Sequence, residues 1–347
     1  MEQQFLIITI FTIITLFFVF DKNQRVILNN KGSVLIYLCL LLLLIFRPSD
    51  MADYENYTEA FKRTYNHRFE PVFLIIKYLA ALSSNPGFWG IAFYALLSSS
   101  IRYNYILKFS TSVYASVLIY ISNVYIAQDM IAIRAALATA LLLPALYYKT
   151  IGNYKYMLIV LLLCILSHYT SALFLIILMI SPKKSYSYLY LLLLLGAFIL
   201  AYRGYTVGGY LALIKLSQVQ VLVDLYSNQE GINIFNLLQY GRVLICCFCW
   251  FIQIKHSDTI CANGNSLSPV LLLKLYTIGL VLAFIFSDII SISVRSSEIL
   301  LSVEVLMIPL YFKTYFRNEI LFKSIILLYS SIILYISLHD TAYWPNL

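Results

Sequence analysis

Charge is what this 347-residue sequence has least of. Its 24 Lys and Arg and 16 Asp and Glu make up 12% of the chain, where a soluble domain carries roughly a quarter. Hydrophobic residues, at 61%, exceed what a water-soluble globule of this size buries. An aqueous enzyme and a nucleic-acid-binding domain are therefore excluded. Metal chemistry is missing as well. No His lies at ligand spacing from any of the six cysteines, so neither a metal nor another cofactor is expected. Cys39, Cys164, Cys246, Cys247 and Cys249 lie inside apolar runs as small packing residues, and Cys261 stands alone in a loop. No basic stretch and no small-x-small cleavage pattern accompany the first apolar run, which follows Glu2, so it reads as a retained span. No tandem repeat, low-complexity linker or hydrophilic domain interrupts the sequence.

What remains is a series of apolar runs. Crossing a hydrocarbon core of about 30 Å takes about 20 helical residues. On that measure the spans are 4–20, 33–46, 88–107, 111–127, 131–148, 156–181, 187–202, 237–254, 270–287, 297–312 and 320–338. The run 72–83 is short for a span and reads as re-entrant or interfacial. The fold expected is an all-α polytopic membrane protein of roughly 10–12 helices, counting re-entrant and half-helices, in a single domain over residues 1–347.

Orientation follows from the net charge of +8, because Lys and Arg accumulate in cytoplasmic loops. If 72–83 does not cross, loops 21–32, 101–110, 149–155, 182–186, 255–269 and 313–323, all carrying basic residues, face the cytoplasm together. One condition is needed: 156–181 must return to its own side as two half-helices turning near Ser167-His168-Tyr169-Thr170-Ser171. The larger loops, about 47–71 and 203–236, then face the periplasm. With these sides the basic residues sort by type. The inner set is Arg25, Arg102 and Arg317 with eleven lysines; the outer set is seven arginines with Lys62, Lys77 and Lys215. Orientation needs only positive charge, whereas Arg offers a planar fork that matches phosphate. Arg47, Arg134, Arg203, Arg242 and Arg295 are therefore candidate phosphate ligands. The competing reading for those near helix ends is structural pairing with Asp129, Asp288 or Glu298, or snorkelling to head groups.

Three polar constellations stand out. In the first loop Asp53 and Glu70 are candidate acid–base or sugar-orienting groups, and Tyr54 and Tyr57 are candidate stacking surfaces. The second is Gln128-Asp129 followed by Arg134, where a helix opens with small residues. The third sets His168 among hydroxyls inside an apolar segment of 26 residues, a placement that favours function over packing. Loop 203–236, with Asn228, Gln229, Glu230 and Asn233, is a candidate sugar-recognition lid. Most of the 30 tyrosines are ascribed to A/T-rich codon usage rather than to sugar stacking.

In this order the constellations resemble the EpsG family of bacterial polysaccharide polymerases, a group that includes many O-antigen (Wzy-type) polymerases. The resemblance rests on Asp53-x-x-x-Tyr57, on Glu70-Pro71-x-Phe73, and on Ile133-Arg134 with Ala138. It continues with the Ser167-His168-x-Thr170-Ser171-Ala172-Leu173 turn and spans roughly residues 45–185. Position 135 is Ala where Gln is common in relatives. The resemblance implies a metal-independent membrane glycosyltransferase of the bacterial inner membrane, working at the periplasmic face. Repeat units linked to undecaprenyl pyrophosphate are joined as a hydroxyl of one attacks the anomeric carbon of the growing chain. Arg47, Arg134, Arg203, Arg242 and Arg295 would neutralise the leaving pyrophosphate, with Tyr54, Tyr57 and Gln128 also on the substrate. His168, Asp53 and Glu70 would deprotonate or orient the hydroxyl. Beyond the lipid-linked repeats and the bilayer, a chain-length regulator is the expected partner, and nucleic acid is not. The alternatives are a lipid-linked oligosaccharide flippase or exporter, or an O-antigen ligase; the outer placement of the charges and the paired half-helices favour the polymerase.

Overall fold

Apolar helices account for almost all of the chain that the computed structural model describes, which is residues 2–20, 31–63, 69–183, 185–206, 236–256 and 267–340. No strand occurs among the described residues. The anticipated lid residues 228–233, together with His67, Arg68, Lys22, Arg25, Lys184, Lys215 and Cys261, lie outside them. The helices in chain order are α1 (Glu2–Phe20), α2 (Lys31–Ile45), α3 (Tyr54–Lys62), α4 (Pro71–Ala80), α5 (Pro86–Phe109) and α6 (Val113–Ile119). A π-helix, Tyr120–Ile131, continues α6 and leads to α7 (Ile133–Thr150), α8 (Tyr154–Ser167), a 3₁₀ segment Tyr169–Leu175 and α9 (Ile176–Met179). There follow α10 (Ser187–Tyr202), α11 (Leu237–Lys255), α12 (Pro269–Ile285), α13 (Ile290–Leu301), α14 (Glu304–Tyr315) and α15 (Glu319–His339).

Local sequence explains where the helices start and stop. Asn85 accepts from Phe88 N at 3.3 Å with Pro86 in the first turn, and Asn236 accepts from Gln239 N at 2.9 Å. Ser268 and Asn318 cap α12 and α15 in the same manner. Gly152 and Gly204, both at φ +77°, close α7 and α10; Asn153 N and Tyr205 N reach back to Tyr148 O and Leu200 O at 2.9 Å, the pattern of a Schellman close. Outward surfaces stay apolar. Phe5, Leu16, Leu35, Leu158, Leu192 and Leu328 are all exposed, as expected where lipid rather than water is the solvent. Three helices, Gln3–Phe20, Leu237–Lys255 and Glu319–His339, are each long and apolar enough to cross a membrane, and several shorter apolar helices accompany them. The molecule is an all-α membrane protein.

The ten-residue α4 is about 15 Å long and cannot cross by itself. The 154–179 segment does double back. Lys149 Nζ donates to Leu178 O at 3.2 Å, and Ser268 bonds to both Thr150 Oγ1 and Pro182 O, so all of these sit at one end of the bundle. Lysines tie that end together by donating to helix-end carbonyls: Lys274 to Ser181 O, Lys313 to Thr111 O and Lys323 to Val19 O. At the opposite end Gln3 meets Phe46 O and Gln4 meets Leu338 O. Arg47, Arg63, Arg134 and Arg203 lie at that second end.

Two expectations are corrected. Arg102 does not sit in an inner loop. It is 2% exposed inside the bundle, because α5 continues past it to Phe109 and presents it to a buried acid. The span anticipated at 297–312 is two half-helices, α13 and α14, separated by Ser302 and Val303. Reporter enzymes fused after residues 60 and 152 should read opposite sides of the membrane; the same reading at both positions would contradict this packing.

Candidate active site

Glu70 organises the site. Pro71 restricts it to an extended backbone (φ −65°, ψ 152°) ahead of α4, and it is 3% exposed at the mouth of the bundle, outside the spanning helices. Its Oε2 accepts from Arg134 NH1 at 2.6 Å. Its Oε1 faces His168 Nδ1 at 3.0 Å and accepts from Tyr169 N at 3.3 Å. Burial alone would raise the carboxyl. The hydrogen bond from His168 and the Arg134 guanidinium outweigh it and hold Glu70 down at about 2. An ionised carboxylate only accepts, so Nδ1 is the protonated ring nitrogen and Nε2 is left for a ligand.

His168 is available because the helix breaks there. Its extended conformation (φ −159°, ψ 117°) separates α8 from the 3₁₀ segment. Ser167 Oγ donates to Leu163 O at 2.7 Å, and Ser171 N and Oγ both donate to His168 O, at 2.9 and 2.6 Å. These bonds satisfy polar groups that hydrocarbon would otherwise leave unpaired. Arg134 opens α7 from the last turn of the π-helix and lies over the Phe69 and Tyr57 rings at 5.0 and 5.7 Å. Burial pushes the Tyr57 phenol up, with Arg134 pulling the other way, so it is a neutral donor. Tyr57 is held there by α3, which packs on α5 where Gly87 and Gly90 make room: a Cβ on Gly90 would come within 2.6 Å of the Phe61 ring.

A cavity of about 220 Å³ opens over this arrangement, lined by Asp53, Tyr57, Gln128, Arg134, His168 and Arg295, with Glu298 on a further wall. Six of the residues singled out in the sequence thus share one cavity, with Glu70 clamped against two of them. Asp53 enters it from a left-handed backbone (φ 61°) that short polar residues tolerate, and its Oδ1 accepts from Asn56 at 3.1 Å. Arg295 is exposed and forms no ion pair among the described residues. The other expected ligands do not reach the cavity. Arg47 donates from Nε to Leu44 O and from NH1 to Met130 O, and Arg242 meets Asn123 Oδ1 at 3.4 Å. Arg203 is exposed at the end of α10, and Tyr54 packs against the aromatic cluster around Phe61 and Phe73. Of the acids named in the competing reading none pairs with Arg134, whose carboxylate partner is Glu70. Glu70, held ionised, bonds to both His168 and Arg134 and so fixes their orientation.

Sequence reasoning did not identify the support behind Gln128. Asp129 Oδ2 lies 3.3 Å from Arg102 Nε and accepts from Tyr120 OH at 2.9 Å. Arg102 NH2 donates to Thr139 Oγ1 at 2.9 Å, Thr139 donates to Gln128 Oε1 at 2.6 Å, and Gln128 Nε2 ends the chain on Glu298 O at 3.1 Å. An arginine inside the apolar run 88–107 was the available signal, obscured by its nearness to a basic loop. Among the described residues no group of His, Cys, Asp and Glu is arranged to hold a metal ion.

The model of one protein family, described as the EpsG family, matches residues 30–346, well beyond the 45–185 over which the motifs are legible. No curated protein matches the chain, and no solved structure does.

Because Glu70 sits at about 2 in the folded protein and at 4.5 otherwise, its ionised form contributes stability that is complete above about pH 4.5 and lost as pH falls toward 2. At about 1.4 kcal/mol per unit this is about 3 kcal/mol. Glu70→Gln should therefore unfold at lower temperature at pH 7 in detergent, with the gap from wild type closing below pH 4.5; a gap independent of pH would refute the charge argument. Arg102→Met, which leaves Asp129 buried without a cation, should cost about 3–5 kcal/mol and show as lost folded yield. Arg203→Met should leave yield unchanged.

Proposed function

This chain belongs to the EpsG family, and we propose that it is a polysaccharide polymerase of the bacterial inner membrane. Membership in the family is compatible with a glycosyltransferase-like role. The proposed reaction joins repeat units carried on undecaprenyl pyrophosphate, at the periplasmic mouth of the bundle. O-antigen is the proposed product. The observation that carries this reading is the Glu70 clamp beneath a cavity that holds His168 and two arginines.

The chemistry follows from those positions. A hydroxyl of the incoming repeat attacks the anomeric carbon of the growing chain, forming the new glycosidic C–O bond. His168 Nε2, with the ring oriented by Glu70 at Nδ1, accepts the hydroxyl proton. The anomeric bond to pyrophosphate breaks and the electron pair leaves with the lipid pyrophosphate. Arg295, which has no carboxylate partner among the described residues, meets the developing charge, with Arg134 beside it. Asp53 and Glu298 accept hydrogen bonds from sugar hydroxyls. The lysine-rich end faces the cytoplasm, in keeping with positive-inside orientation.

Deleting the gene should leave lipopolysaccharide whose core bears a single repeat, read on a gel; bare core would favour a flippase or a ligase instead. His168→Ala and Arg134→Ala, each at normal protein level, should reduce long-chain polymer by about 100-fold or more and leave the single-repeat band. A full ladder from both variants refutes the assignment.

A further inference from the structure

The cavity continues inward. Ala127, Gln128 and Glu298, which line it, also line a second pocket of about 10 Å³, bounded by Asn123, Val124, Arg242 and Leu301. That volume fits one water-sized group. Arg242 is 6% exposed, and its Nε is buried without a hydrogen-bond partner. Its charge is met from behind. Asn123 Oδ1 accepts from Arg242 NH2 at 3.4 Å while Asn123 Nδ2 donates to the fully buried Glu304, whose Oε2 also accepts from Tyr329 OH at 3.2 Å. A guanidinium held this far inside the bundle, on the wall of a pocket, is a built site for an acceptor oxygen.

We propose that this pocket is a hydroxyl-binding subsite in which the Arg242 guanidinium receives one hydroxyl of the repeat unit's sugar. The inference rests on the polymerase reading and deepens it. The pocket is too small for a phosphate, and the carboxylates of Glu298 and Glu304 disfavour a second anion there. Arg242 is thus a determinant of which sugar is accepted, and phosphate recognition stays with the outer arginines. Water and a sugar hydroxyl offer the same oxygen chemistry, so the test distinguishes them.

Ala127→Leu adds bulk to the wall that the two pockets share and leaves the Arg242–Asn123–Glu304 chain intact. Arg242→Lys keeps the charge facing Glu304 and removes the guanidinium. Purified protein in proteoliposomes, supplied with lipid-linked repeat extracted from the deletion strain, measures both variants. Each should raise KM for the repeat tenfold or more with kcat within twofold, and Ala127→Leu should leave the thermal unfolding temperature unchanged. Synthetic repeats that each lack one hydroxyl identify the occupant. One of them should bind wild type as weakly as the intact repeat binds Ala127→Leu, and should lose nothing further on the variant. An unchanged KM in both variants overturns the subsite, as does equal sensitivity of every deoxy repeat to Ala127→Leu, the result expected if the pocket holds only water. Absence of polymer from wild type would instead refute the polymerase reading itself.

Discussion

One carboxylate joins three separate parts of the chain. Glu70 comes from the loop that follows α3, Arg134 from the first turn of α7, and His168 from the break that ends α8. A buried ionised acid is costly unless its lone pairs are filled, and here two charged or polar side chains and one backbone N–H fill them. The same bonds that stabilise the acid fix the histidine tautomer and aim the guanidinium. Stability and site geometry are one constraint at this point, so neither can be changed without the other.

The remaining polar groups obey the same rule at different depths. The Asp129–Arg102–Thr139–Gln128 chain and the Glu304–Asn123–Arg242 chain approach the π-helix from two sides. A π-helix of twelve residues is rare, because its wide turn packs poorly on its own. Tyr125 OH on Leu40 O and Ser337 Oγ on Ser122 O add further anchors. Held in this form, the segment ends at Ala132 and hands the chain to Ile133 and Arg134 at the cavity wall. Charge scarcity is thus an organising feature: Arg102, Asp129, Arg242 and Glu304 each meet a polar partner inside the bundle.

Lysine and arginine divide the labour between the two ends. Lysine's flexible ammonium suits the helix-end carbonyls it caps at Leu178, Ser181 and Thr111. Arginine's planar fork suits partners that hold it in a fixed plane, as Glu70 does for Arg134. The cavity is nevertheless not simply cationic, since Asp53 and Glu298 share its lining with Arg134 and Arg295. A substrate that carries both a charged link and neutral hydroxyls matches that mixture better than an anion alone.

The sequence by itself determined the helical membrane character and the turn-back near residues 167–171. Hydrocarbon forces the backbone to satisfy its own hydrogen bonds, so long apolar runs leave few options, and basic loops must fall on one side. It also brought forward Asp53, Tyr57, Gln128, Arg134, His168 and Arg295, because polar groups in or beside so apolar a chain need a reason. Only the tertiary structure decided who pairs with whom. Arg134 meets Glu70 across 64 positions, Arg102 lies in the interior, and Arg47 and Arg242 turn away from the cavity. Such choices depend on the rotation and depth of each helix against its neighbours. A hydrophobic pattern that is apolar all round carries no record of either.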